Sequence, residues 1–175
     1  MNRQRIARHE AGHFLVAMRL GHALDHVSIV AEGERVGVAV SSAGSVIGAN
    51  SAYADLESAV VFLAGPSAEG RFVDAVAPTC ADSDAFSAKL LLSRTDQSQL
   101  PELMTLAQAW ADTLVERWKD DIDRLTDALL NGECLSGPEV IDLFVGNVVD
   151  EQFKGEVRAA HDARASTRPG SETAS

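Results

Sequence analysis

Aromatic residues and cysteines are both scarce in this chain of 175 residues. Aromatics make up 5% of the sequence, so alanine, valine and leucine must fill most of the core. The two cysteines, Cys80 and Cys134, lie too far apart in sequence to indicate a disulfide framework or a zinc knuckle. We expect both to be reduced, partly buried thiols.

Basic residues are also few, because 15 Lys and Arg face 26 Asp and Glu and give a formal net charge of −11. Binding of phosphate groups needs clustered Lys and Arg, so nucleic acid and anionic membrane surfaces are disfavoured as partners.

No stretch approaches the roughly 20 apolar residues of a membrane span. Three polar residues, His9, Glu10 and His13, interrupt the apolar residues of the N-terminal segment, unlike a secretory signal. We therefore expect a cytoplasmic protein with no membrane span.

The spacing of apolar residues predicts several helices and one short β-segment. A first helix over 3–20 has Asn2 as its cap and Gly21 at its end. Alternating valines on both sides of the turn "AEGER" predict a β-hairpin or meander. Pro66 should kink or split the second helix, since proline has no backbone N–H to donate. This second helix covers 52–73. Further helices are predicted over 83–93, 101–118 and 120–130, and Gly132 closes the last of these three. The capping box "SGPE" at 136–139 opens a final helix.

These elements predict a mainly α (α+β) fold with one small β-sheet or hairpin and a C-terminal helical bundle. The chain turns polar after about Gly155 and ends in "ARASTRPGSETAS". Such a composition is typical of disorder. We expect one domain over 1–155 and a disordered tail over 156–175.

The segment His9-Glu10-Ala11-Gly12-His13 has the H-E-x-x-H pattern of zinc peptidases. Residues four apart lie on one face of a helix, so His9 and His13 can bind one ion together. Zinc accepts neutral imidazole nitrogens and lowers the pKa of a bound water toward ~7. From its place beside His9, Glu10 can take a proton from the zinc-bound water and pass it to a leaving amine. The pattern predicts a Zn²⁺ site with Glu10 as the catalytic residue.

A catalytic zinc needs a third protein ligand and one open position. The acidic stretch "TCADSDAF" places Asp82 and Asp84 at the start of a predicted helix, where either could serve. Glu69 in "SAEG" is a further candidate, and it could instead orient a ligand histidine from behind. The residues alone leave these alternatives open.

The segment "RIARHEAGHFLVAMRLG" resembles the opening of the peptidase domain of the FtsH family, the membrane-bound AAA zinc proteases. "HVSIV" and "GERVGVAV" stand where that family has its first two strands. "LAGPSAEG" at 63–70 is similar to the family's Leu-Gly-Gly-Arg-x-Ala-Glu-Glu, with Pro66 in place of Arg and Gly70 in place of the second Glu. "CADSD" at 80–84 matches Gly-Ala-Ser-Asn-Asp, whose final Asp is the third zinc ligand. The resemblance covers roughly residues 4–145 and implies that Asp84 is that ligand.

The resemblance implies a zinc metallopeptidase in which His9, His13 and Asp84 hold the metal and Glu10 activates water. It also suggests a homo-oligomer. Nothing in the sequence resembles the ATPase or membrane-spanning parts of that family. We therefore expect cleavage of flexible or unfolded polypeptides, alone or with a separate ATPase or adaptor that delivers them.

A second hypothesis is a non-catalytic binding or regulatory protein that retains the fold and the metal. The short stretch after Arg94 and the altered motif at 63–70 motivate it. Hydrolysis of a non-peptide amide at the same zinc is a third hypothesis.

Overall fold

The structure, a computed structural model, describes most of the chain up to residue 144. Cys80, the cap at Asn2, the side chain of Asp82 and nearly all of the predicted tail lie outside the described residues. The described residues are 3–22, 24–32, 35–41, 52–70, 81–94, 97–144, 152, 155 and 159.

The described residues form a mainly helical structure with one small sheet, which confirms the predicted fold class. Among the helices described, none combines the length and the apolarity that crossing a bilayer would require. The elements in chain order are α1 (Arg3–Arg19), β1 (Leu24–Glu32), β2 (Arg35–Ser41), α2 (Ala52–Glu69), α3 (Ala81–Leu92), a 3-10 turn (Gln97–Gln99), α4 (Leu100–Arg117), α5 (Lys119–Gly132), β3 (Cys134–Ser136) and α6 (Gly137–Leu143).

Helix α1 runs through the core and packs against α2, α5 and β1. Almost every residue over 6–18 is buried, so the helix carries its polar side chains into the interior. It ends as predicted at Gly21, whose φ of 82° suits glycine. The N–H of Gly21 donates to the Met18 carbonyl and that of His22 to the Ala17 carbonyl, the pair of bonds that defines a Schellman motif.

The predicted hairpin is present, and a third strand joins it. Strand β1 lies in the middle and pairs antiparallel with β2 on one side and β3 on the other. The sequence did not predict β3, which pairs Val27 with Leu135. Cys134 opens this short edge strand as an exposed free thiol, so the expectation of a partly buried thiol is wrong for Cys134.

Helix α2 contains Pro66 and continues to Glu69, so of the predicted kink or split the split is wrong, and the kink stays a prediction. Proline removes only one backbone hydrogen bond, and Pro66 lies in the last turn of the helix. Packing against α1 and α4 holds this turn in place. Just after the proline, the Ser67 hydroxyl donates to Asp112 of α4 at 2.7 Å.

The C-terminal helices pack back onto the N-terminal half, α4 against α2 and α5 against α1. Proline in the first turn of α4 and the capping box at Ser136 and Glu139 are confirmed. Helix α5 ends at Gly132, but Glu133 takes the positive φ of 66° at its C-cap. Tertiary contacts hold Glu133 there, because its carboxylate pairs with Arg3 at 2.5 Å and its carbonyl accepts from the Ile29 N–H.

Candidate metal centre

The structure brings together the three residues that the sequence predicted as metal ligands. His9 and His13 lie one turn apart on α1, and Asp84 reaches them from the first turn of α3. The Oδ2 atom of Asp84 lies 3.0 Å from Nε2 of His9 and 3.4 Å from Nε2 of His13. One ligand atom from each residue falls within 4.8 Å of the other two, which is close enough for one ion to contact all three.

The Nδ1 atom of each histidine, on the far side of the ring from Asp84, faces an acceptor oxygen. Nδ1 of His13 lies 2.8 Å from the Val61 carbonyl oxygen, and a carbonyl only accepts, so Nδ1 carries the hydrogen. Nδ1 of His9 lies 2.8 Å from Oε1 of Glu69, close enough for an ion pair but without the angles of a hydrogen bond. The nearby carboxylate still favours a hydrogen on this nitrogen. In these neutral tautomers both Nε2 lone pairs point toward Asp84.

The centre of the site is therefore a group of acceptors without a donor. The two Nε2 atoms are 2.9 Å apart. Oδ2 of Asp84 is buried and, among the described residues, has no hydrogen-bond partner while the rings are neutral. Acceptors at such distances repel one another unless a cation lies between them. Two imidazole nitrogens and one carboxylate oxygen are ligands that zinc accepts, so these residues fit a zinc ion.

The pKa values of the site show the same need for positive charge. Burial lowers the pKa of His9, but the hydrogen bonds to Asp84 and Glu69 and the charge of Glu10 outweigh it and raise the pKa to about 9. Burial raises the pKa of Asp84, but hydrogen bonds from His13 and His9 lower it to about 2. In the metal-free protein, the carboxylates of Asp84, Glu69 and Glu10 therefore favour a protonated, positively charged His9.

Glu69 lies behind His9 and not among the converging ligand atoms. Its Oε1 faces Nδ1 of His9, and its Oε2 accepts from Nε of Arg5 at 2.7 Å. Burial raises the pKa of Glu69, but its hydrogen bonds with His9 and Arg5 outweigh this and lower it. This is the position expected of a residue that orients a ligand histidine, one of the two roles predicted for Glu69. The sequence reasoning missed Arg5, although its place four residues before His9 puts both on one helix face.

Gly65 of α2 gives the His13 ring its space. A Cβ atom at this position would lie 2.6 Å from Cε1 and 2.8 Å from Cδ2 of His13, closer than real Cβ contacts. Gly12 lets the same two helices approach, because a Cβ there would lie 2.8 Å from the Ala64 carbonyl oxygen. The glycine in "LAGP" therefore serves the site directly, which the sequence alone did not reveal.

The site is closed on one side and partly open on the other. The side chain of His9 is 4% exposed, and Glu10 beside it is 5% exposed. The side chains of His13 and Asp84 retain 12% and 14% exposure. Among the described residues, a substrate or water would therefore reach the ligand atoms from the side of His13 and Asp84.

The chain matches no protein-family model and no curated protein. Its resemblance to the FtsH peptidase domain therefore stays a prediction from the motifs.

Proposed function

We propose that this protein is a zinc-dependent metallopeptidase related to the FtsH peptidase domain. The observation that carries the proposal is the convergence of Nε2 of His9, Nε2 of His13 and Oδ2 of Asp84 within 4.8 Å. Three protein ligands are the number found in catalytic zinc sites, which keep one position for water or substrate. Structural zinc sites use four ligands, and a fourth ligand side chain does not join this group within the described residues.

Zinc, when bound, would lower the pKa of water toward ~7 and polarise the carbonyl that is attacked. Glu10 follows His9 on α1, so its carboxylate is held next to the ligand set by the helix itself. It would accept the proton of the attacking water and then donate it to the leaving amine. Glu69 would keep the His9 ring oriented through Nδ1.

The substrates we propose are flexible or unfolded polypeptide segments. The ligand atoms lie in a largely buried site, with 12–14% exposure at its open side, so a peptide bond must leave its own fold to reach them. A separate ATPase or adaptor would supply such segments from folded proteins.

We also propose that the protein acts in the cytoplasm, where an exposed thiol such as that of Cys134 stays reduced. We propose further that it forms a homo-oligomer.

The burial of Glu10 is the observation that favours the non-catalytic alternative. A carboxylate at 5% exposure has little access to water except through the metal site. If no substrate carbonyl can reach it, the same residues would hold zinc in a binding or regulatory protein.

Zinc titration and a protease assay on the same preparation separate these functions. We expect the metal-free protein to bind one zinc per chain and then to degrade casein, with a chelator abolishing the activity and added zinc restoring it. His13→Ala should lose both zinc and activity, while the matched His26→Ala on β1 should keep both. Zinc binding without casein hydrolysis would support the regulatory alternative, and failure to bind zinc would overturn the metallopeptidase.

A further inference from the structure

Arg5 extends the metal site outward by one more residue. It lies one turn before His9 on α1, and its side chain is 22% exposed. The two oxygens of the Glu69 carboxylate are divided between these residues: Oε2 accepts from Nε of Arg5 at 2.7 Å, and Oε1 lies 2.8 Å from Nδ1 of His9. Arg5, Glu69 and His9 thus form a continuous chain of polar contacts that ends on the ring of a proposed ligand residue, at Nδ1.

The site holds more negative charge than a metal alone would balance. Three carboxylates, those of Glu10, Glu69 and Asp84, lie in or beside it and are buried or nearly so. A divalent zinc offsets two ionised carboxylates, and the guanidinium of Arg5 adds a further positive charge at Glu69. Arg8, the next cation along α1, pairs with Asp123 and donates to the Ala68 carbonyl.

We propose that Arg5 is a positioning residue for the metal, which acts by clamping Glu69 against Nδ1 of His9. The inference rests on the proposed zinc site, but not on peptide hydrolysis. Without Arg5, the buried carboxylate of Glu69 would lose a charged partner at Oε2 and would be less firmly held against His9. Loss of an outer partner of a metal-binding histidine typically weakens metal affinity 10- to 100-fold.

The test compares two arginines of the same helix. Arg5→Met removes the clamp with an apolar side chain of similar length. Arg3→Met is the matched control, because it changes the net charge equally and its contacts, with the Glu133 carboxylate and the Leu130 carbonyl, are exposed and belong to the C-terminal end of α5. Zinc affinity is measured by competition with a chromophoric chelator, and the visible spectrum of bound Co²⁺ reports the ligand geometry.

We expect Arg5→Met to bind zinc at least about tenfold more weakly than wild type and to alter the Co²⁺ spectrum. Arg5→Lys should retain most of the affinity, because its ammonium can reach the same oxygen. Arg3→Met should bind as wild type does. Equal affinity in Arg5→Met and Arg3→Met would overturn the inference while leaving the zinc site intact.

A double-mutant cycle with Glu69→Gln shows whether Arg5 acts through Glu69. If it does, Arg5→Met should have little further effect on zinc affinity in the Glu69→Gln protein. Additive losses in the double variant would overturn the clamp. Wild type that binds no zinc would instead refute the proposed function and this inference together, whereas a zinc-loaded but inactive Glu10→Gln protein leaves both intact.

Discussion

The imidazole rings of His9 and His13 meet edge to face, with their Nε2 atoms 2.9 Å apart and their planes at 84°. Each ring presents the nitrogen left free by its outer contact, that of Nδ1 with Glu69 or with the Val61 carbonyl. In the tautomers that these outer contacts favour, neither Nε2 carries a hydrogen, so a cation between the two atoms would relieve their repulsion. The pair could therefore hold a metal ion together with Asp84.

The stability of the metal-free protein and its affinity for zinc should change with pH in opposite directions. In the metal-free protein the pKa of His9 rises from 6.5 to about 9. A raised pKa means that the fold favours the protonated ring, so its contribution to stability is full below pH 6.5 and is lost as the pH rises through about 9. Zinc competes with that proton, so its apparent affinity should rise up to about tenfold per pH unit between pH 7 and 9.

Urea unfolding of metal-free protein at pH 6.5, 8 and 9.5, together with zinc competition titrations at the same pH values, checks this prediction. The zinc titrations are the sharper part, because other groups also contribute to the pH dependence of unfolding. A zinc affinity that stays constant from pH 7 to 9 would show that His9 carries no proton to displace.

Gly65→Ala should remove the metal without unfolding the chain. The new methyl group would occupy the space of the His13 ring, because its carbon would lie 2.6 Å from Cε1 of that ring. Alanine favours a helix over glycine by up to about 1 kcal/mol, so the helix itself should tolerate the change. Gly70→Ala is the control, since a Cβ there meets nothing within 4 Å. Zinc bound per chain and the far-ultraviolet circular dichroism of both variants test the prediction, and full zinc occupancy in Gly65→Ala would contradict it.

Asp84→Asn and Glu69→Gln should weaken zinc binding to different extents. Asp84 offers a ligand atom, so its replacement should cost more than the 10- to 100-fold typical of an outer partner. Glu69 touches His9 only from behind, so its replacement should fall within that range. Zinc affinities of both variants, with Asp127→Asn as an exposed control, decide the ligand set. A larger loss of zinc affinity in Glu69→Gln than in Asp84→Asn would indicate that Glu69 is the ligand and Asp84 the outer partner.

Local patterns predicted the parts of the site that a single helix determines. His9 and His13 share a face because they are four residues apart, and the capping box of α6 depends on residues within one turn. Asp84 could be selected over Asp82 and Glu69 only through the resemblance to a known family. The structure places Asp84 beside the histidines and Glu69 behind them, while the side chain of Asp82 lies outside the described residues.

Contacts between distant parts of the chain were not predictable in this way. Strand β3 is three residues long and exists because it pairs with β1, more than a hundred residues earlier. The polar contact of Arg5 with Glu69 and the space that Gly65 leaves for His13 both depend on how α2 packs against α1. Pro66 is tolerated inside α2 for the same reason, since neighbouring helices hold the turn that its missing hydrogen bond weakens.

The most direct test of the proposed metallopeptidase compares zinc content and casein hydrolysis in wild type and Glu10→Gln. Glutamine keeps the size of the side chain and cannot accept the proton of the attacking water. We predict one zinc per chain in both proteins and a loss of turnover of roughly 10²- to 10⁴-fold in Glu10→Gln. Equal activity in the two zinc-loaded proteins, or no activity in zinc-loaded wild type, would contradict the proposal.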